Sequence, residues 1–177
     1  MDYEVEYDNR ARVPEHPDIQ TRWRRLADAA RGELNCTLGL SYGDRLRNRY
    51  DVVHPSARQD SDAPLIVFIH GGYWRLFDKS YWSHFATGVL ARGWAVAMPS
   101  YPLAPGATIA QITRSAARAI DFAAARVGGA ITLCGHSAGG HLVARMACAD
   151  AGLSSGVPDR IRTIVPVSPV SDLRPLI

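Results

Sequence analysis

Lysine is nearly missing from this chain: Lys79 stands alone against nineteen arginines, and the excess of basic over acidic residues is only three. A bias among the cations with so small a net charge reads as codon usage, and it excludes the basic face a nucleic-acid binder needs. The densest basic run, Arg22, Arg24 and Arg25 around Trp23, falls where a helix turns its solvated side outward. Cysteine is also scarce. Cys36, Cys134 and Cys148 are an odd number without metal-ligand spacing, which predicts reduced, structural thiols and no metal site. No stretch approaches about 18 apolar residues in a row, and the N-terminus is acidic where a signal peptide is basic and then apolar. No membrane span is expected, and the cytoplasm is the default compartment. Phosphate-binding signatures are absent as well: there is no Gly-Lys-Ser/Thr and no Gly-x-Gly-x-x-Gly, which sets aside a nucleotide-binding domain. Neither repeats nor low-complexity tracts occur.

What is present is enough apolar material for a core. With 47% hydrophobic residues, positions 1–177 fit one globular domain. Residues 17–31 predict an amphipathic helix with Ile19, Trp23, Leu26 and Ala30 on one stripe and Gly32 past its end. "RNRYDVV" (47–53), "PLIVFI" (64–69) and "WAVAMPSY" (94–101) read as strands, the last two buried on both faces. Residues 54–64 read as a surface turn. Asp78 caps an expected helix with Trp82, Phe85, Val89 and Leu90 on one side, ended by Gly93. After Pro105 a long helix runs to about Arg126, followed by the strand "AITLC", a helix over 139–150, and the strand "RTIVPV" (162–167), where Pro166 removes a ladder donor and suggests a bulge or sheet end. Strands alternating with helices imply an α/β fold, a mostly parallel sheet with helices on both faces.

Two motifs carry chemistry on that scaffold. Gly135-His136-Ser137-Ala138-Gly139 fits Gly-x-Ser-x-Gly and lies where a strand hands over to a helix. Such a turn lifts the serine out of the sheet edge and brings backbone so close that side chains at 135 and 139 would clash. Ser137 then stands at a helix N-terminus, where partial positive charge favours a developing anion. Upstream, "FIHGGYW" (68–74) again follows a buried strand. Its paired glycines allow backbone N–H groups to turn into a cavity, so Gly71, Gly72 and Ala138 are the candidate oxyanion donors. His70 is expected to brace that loop. Five aromatics follow within ten residues; Tyr73 and Trp74 are candidates for a substrate pocket, and Trp82 for the core.

Order and spacing of these motifs resemble the α/β-hydrolase superfamily. In detail, "HGGYW", "SYPLAP", "GHSAGGHL" and "VSPVSDLRPL", with "YDNRARVPEHP" near the start, resemble the kynurenine formamidase (arylformamidase) branch, related to the hormone-sensitive-lipase-like esterases. The resemblance implies Ser137 as nucleophile, Gly71 and Gly72 in the oxyanion loop, and hydrolysis of an N-formyl group such as that of N-formylkynurenine, a small-molecule substrate, without metal or organic cofactor. Two positions depart from the pattern: Gly106 where glutamate is common, and Pro169 where glycine is common. A carboxylesterase of short acyl esters and a non-catalytic hydrolase-like module remain the alternatives, and a homo-oligomer is left open.

No histidine of the chain is expected to be the base. In this fold the order is serine, acid, histidine; after Ser137 only His141 remains, ahead of every remaining acid. His136 is directed away from the serine by its place in the elbow, His141 is expected to pack, and Asp172 anchors a loop. About six strands are legible where eight are common, with "TIVPV" left as an apolar edge. The chain is therefore expected to be the N-terminal two thirds of a hydrolase, its triad acid and histidine lying beyond Ile177.

Overall fold

The structure, a computed structural model, describes residues 6, 8, 10–55 and 62–174. The expected surface turn over 54–64 falls mostly on 56–61 and the acidic start mostly on 1–5, outside the described residues. Six strands form one sheet: β1 (Cys36–Ser41), β2 (Arg49–Val53), β3 (Leu65–Ile69), β4 (Ala95–Pro99), β5 (Ile131–His136) and β6 (Ile161–Val167), in the order β1-β2-β4-β3-β5-β6. The strands β4, β3, β5 and β6 run parallel, while β1–β2 and β2–β4 are antiparallel. The sheet is thus mostly parallel, as the alternation of elements predicts.

Among the described residues five α-helices accompany it: α1 (His16–Glu33), α2 (Thr87–Leu90), α3 (Ile109–Ala124), α4 (Ala138–Arg145) and α5 (Val157–Arg160). Side chains alternate across β3, so the two faces bury different partners. Leu65, Val67 and Ile69 join Ile112 and Ile120 of α3 and Leu142 of α4 in one cluster, whereas Phe68 joins Val96, Met98 and Trp82 in the other, with Trp23 of α1 packed against it. The start of α3 is fixed by a capping box, Thr108 and Gln111 each receiving the other's backbone N–H.

Three local expectations need correction. On α1 the buried stripe runs through Trp23, Ala27 and Ala30, and Leu26 is 41% exposed. A step of four residues from Trp23 returns nearer the same face than a step of three, which favours Ala27 over Leu26, and the small alanines let the helix approach. The single helix expected from Asp78 is broken into two 3₁₀ turns, Lys79–Tyr81 and Ser83–Ala86, before the one turn of α2. Asp78 does cap, accepting the N–H of Ser80 at 2.7 Å. Strand β1 is an addition, hidden in the sequence by Gly39, whose φ of +70° marks an irregularity in register between Thr37 and Leu40. At the opposite edge Pro166 sits in β6, with Val165 and Val167 about 40% exposed.

Candidate active site

The end of β5 and the start of α4 meet at Ser137, whose φ of 54° and ψ of −117° lie outside the regions a serine prefers. Holding a non-glycine residue there costs about 1–3 kcal/mol, so the surroundings must fix it. They do so through the backbone. The Ser137 N–H donates to Val167 O (2.9 Å), and its carbonyl accepts from His141 N–H (3.0 Å) and Val170 N–H (3.3 Å). The two flanking glycines are required by close approach: a Cβ on Gly135 would stand 2.5 Å from Gly139 C, and one on Gly139 2.5 Å from His70 O. Ser137 itself remains half-buried beneath a cleft.

Directly after β3 the chain makes a second strained turn. Gly72 has φ 109°, Tyr73 49°, Trp74 55° and Phe77 66°. The Gly72 carbonyl is tied inward by the N–H groups of Arg75 (2.9 Å) and Leu76 (3.0 Å). Among the described residues the N–H groups of Gly71 and Gly72 donate to no backbone carbonyl outside regular elements, and Ala138 N–H belongs to the first turn of α4, where no intrahelical acceptor exists. This turn lies against the elbow: a Cβ on Gly71 would be 2.8 Å from His136 O and 3.1 Å from Ser137 Cβ. The structure therefore brings Gly71, Gly72, Ser137 and Ala138 together from motifs far apart in sequence.

His70 sits beneath this turn, fully buried and stacked on Tyr101 at 4.3 Å. Its Nδ1 lies 2.7 Å from Gly71 O and must carry the proton, because a carbonyl only accepts. Tyr101 hydroxyl donates to His70 O at 2.9 Å. Burial pushes the His70 pKa down to about 4. The folded protein thus holds this imidazole neutral, so its stabilising contribution is complete above the unfolded pKa near 6.5 and is lost as pH falls toward 4. Between pH 7 and pH 5 the loss should be about 2 kcal/mol. Urea midpoints at the two pH values test this: His70→Asn, which retains a donor and does not titrate, should lose less stability than the parent over that interval.

A cleft of about 790 Å3 opens over the serine, its lining including Ser137, Gly71, Gly72, Tyr73, Phe77 and Trp23. Of the two aromatics taken as pocket candidates, Tyr73 lines the cleft and Trp74 does not. It is 4% exposed, belongs to the main core and meets His141 edge-on at 5.3 Å. The positive φ at Tyr73 and Trp74 turns the second ring back under the loop, which withdraws it from the candidate pocket. Two wall residues were missed. Phe77 stood in the aromatic cluster and Trp23 on the stripe of α1; they pack edge to face at 6.3 Å.

Among the described residues no side chain hydrogen-bonds the Ser137 hydroxyl. His136 is exposed, and His141 is half-buried against Trp74, its pKa lowered by burial and by Arg145. Asp172 accepts from Arg174, two residues on, at 2.9 and 2.6 Å, in a pair that is exposed. No group of three or more His, Cys, Asp or Glu able to hold a metal occurs among the described residues. Nor is any of their helices long and apolar enough to cross a membrane.

Comparison with known proteins places this geometry. Residues 50–170, which include both strained turns, match the BD-FAE family model. The chain belongs to the BD-FAE family. Within this family setting it is 31% identical over 154 residues to kynurenine formamidase of Salmo salar, covering 85% of this chain and 51% of that protein. A crystal structure of a candidate thioesterase from Silicibacter sp. is 47% identical, with a TM-score of 0.93 over 99% of this chain and 66% of the other. Esterase B of Lactobacillus rhamnosis, at 20% identity, superimposes with a TM-score of 0.65 over 90% of this chain and 58% of its own. The fold is that of the α/β hydrolases, and the resemblance to arylformamidases holds. The chain spans about half the length of the curated relatives it matches.

Proposed function

We propose that this chain carries the nucleophile and oxyanion site of a serine hydrolase that cleaves a formamide through an acyl-enzyme, with an aryl formamide such as N-formylkynurenine as substrate and a place in tryptophan catabolism. The observation that carries the proposal is Ser137, held at positive φ beneath a cleft with the Gly71 backbone against its Cβ. In the reaction Ser137 Oγ attacks the formyl carbon and gives its proton to a base. The carbonyl oxygen becomes negative and receives the N–H groups of Gly71, Gly72 and Ala138, donors already oriented and free of reorganisation. Collapse expels the aryl amine with a proton, and water then releases formate from the serine. Among the described residues no histidine touches the hydroxyl, so the proposal assigns nucleophile and donors only. The walls fit the substrate class, since Tyr73, Phe77 and Trp23 offer flat apolar faces to an aryl ring. The three free thiols agree with a reducing compartment such as the cytoplasm.

Relative kcat/KM of a version extended to the relatives' length, on N-formylkynurenine and on short p-nitrophenyl esters, tests the reading. Preference for the formamide supports it, preference for the esters assigns a carboxylesterase, and turnover of neither leaves a binding module. The oxyanion turn has its own test. A Cβ on Gly72 would lie 2.6 Å from Leu76 O and 2.8 Å from Phe77 Cδ2, at a φ that β-branched residues avoid. Gly72→Val should therefore rotate the donors away and lower kcat by about 10²-fold or more. An unchanged rate would make the turn merely structural.

A further inference from the structure

The strained turn from Gly72 to Phe77 is gripped at its C-terminal end by charges. Arg47, between β1 and β2, donates one guanidinium N–H to Phe77 O and, through Nε, another to Tyr101 O at 2.8 Å. Two residues beyond Phe77, Lys79 places its ammonium 2.6 Å from Asp51 Oδ1. Asp51 lies inside β2, its side chain 2% exposed, and that of Lys79 is 18% exposed. The same carboxylate oxygen accepts Gly39 N–H at 2.7 Å, and Arg31 of α1 stands 3.9 Å from the other oxygen. The main chain of Lys79 is held as well: its N–H donates to Ser100 Oγ at 3.0 Å, and its carbonyl accepts from Arg31 at 3.4 Å.

A buried ion pair is poor value as a stabiliser, because desolvating both ions offsets their attraction, and an apolar pair of similar size is often as good. What it supplies that apolar contact does not is a fixed partner and direction. Here the sole lysine of the chain makes that pairing two residues after Phe77, whose ring touches the place where a Gly72 side chain would stand.

We propose that Lys79 is a positioning residue: its ion pair with Asp51 fixes the turn Gly72–Phe77 in the shape that sets the Gly71 and Gly72 N–H groups against Ser137. The catalytic half of this inference rests on the function proposed above; the anchoring half does not.

The test separates stability from positioning. Lys79→Met alone leaves Asp51 buried with its nearest remaining cation 3.9 Å away, and it should lower the urea midpoint. Adding Asp51→Asn removes the stranded charge and keeps the oxygen that receives Gly39 N–H, so the midpoint should recover. Backbone hydrogen exchange over residues 72–78 in that double variant should still be about ten-fold faster than in the parent. On a version extended to the relatives' length, kcat should fall about ten-fold with KM within about two-fold, because misplaced donors affect the transition state. A merely structural role predicts that exchange and kcat return with the midpoint, and that result would overturn the inference. Should the parent turn over no substrate, the functional reading fails, and exchange over 72–78 still decides the anchoring: faster exchange upholds it, unchanged exchange sinks it.

Discussion

Gly139→Ala should destabilise the protein by about 4–5 kcal/mol, enough to unfold a domain of ordinary stability at moderate urea. The added methyl group would meet the Ile69 carbonyl oxygen inside contact distance, with His70 O 2.5 Å away. Both obstacles are backbone of the β3 end and its turn, so no rotamer change relieves them. The strand and helix would have to separate, and with them the elbow and the loop that lies on it. Gly88→Ala is the control. Gly88 lies in α2 at an ordinary φ, with nothing within 4 Å of the new carbon, so the substitution should be neutral or stabilise by about 0.5 kcal/mol. Urea denaturation of the two variants decides: equal midpoints would mean that the approach at Gly139 is far looser than its distances state.

In a version extended to the relatives' length, Ser137→Ala should lower kcat by about 10³-fold or more while leaving the urea midpoint within about 1 kcal/mol of the parent. Only the hydroxyl is removed. The backbone bonds to Val167, His141 and Val170 that hold the strained conformation do not involve it, and alanine tolerates positive φ no better or worse than serine. Loss of rate with retention of fold is the signature of a reacting group. A large fall in stability with a proportionate fall in rate would instead mark Ser137 as part of the elbow's framework.

Where local chemistry decided the structure, the sequence was readable. Strands β3 and β4 are runs of apolar residues covered on both faces, and the Gly135/Gly139 pair announces a backbone contact that only glycine permits. Long-range or conformational effects hid the rest. Nothing in "GGYW" signals that Tyr73 and Trp74 adopt positive φ, in a turn that leaves Tyr73 on the cleft and Trp74 in the core. The aromatics after Asp78 mimic a helical period while packing from two 3₁₀ turns, because Trp82 and Phe85 meet Phe68 whether or not the intervening turn is α. Asp51 in "RYDVV" reads as the polar side of a strand. Its burial depends on Lys79, 28 positions away, and on α1 closing over both. Trp23 likewise becomes a cleft wall only once α1 docks.

Every catalytic role proposed above depends on Ser137 being the nucleophile. Its most direct test is intact-mass and peptide mapping after a fluorophosphonate is applied to this chain extended to its relatives' length. One adduct on the peptide containing Ser137, absent from Ser137→Ala, is the predicted result; an adduct that persists in Ser137→Ala, or no adduct on a protein that hydrolyses its substrate, would contradict it.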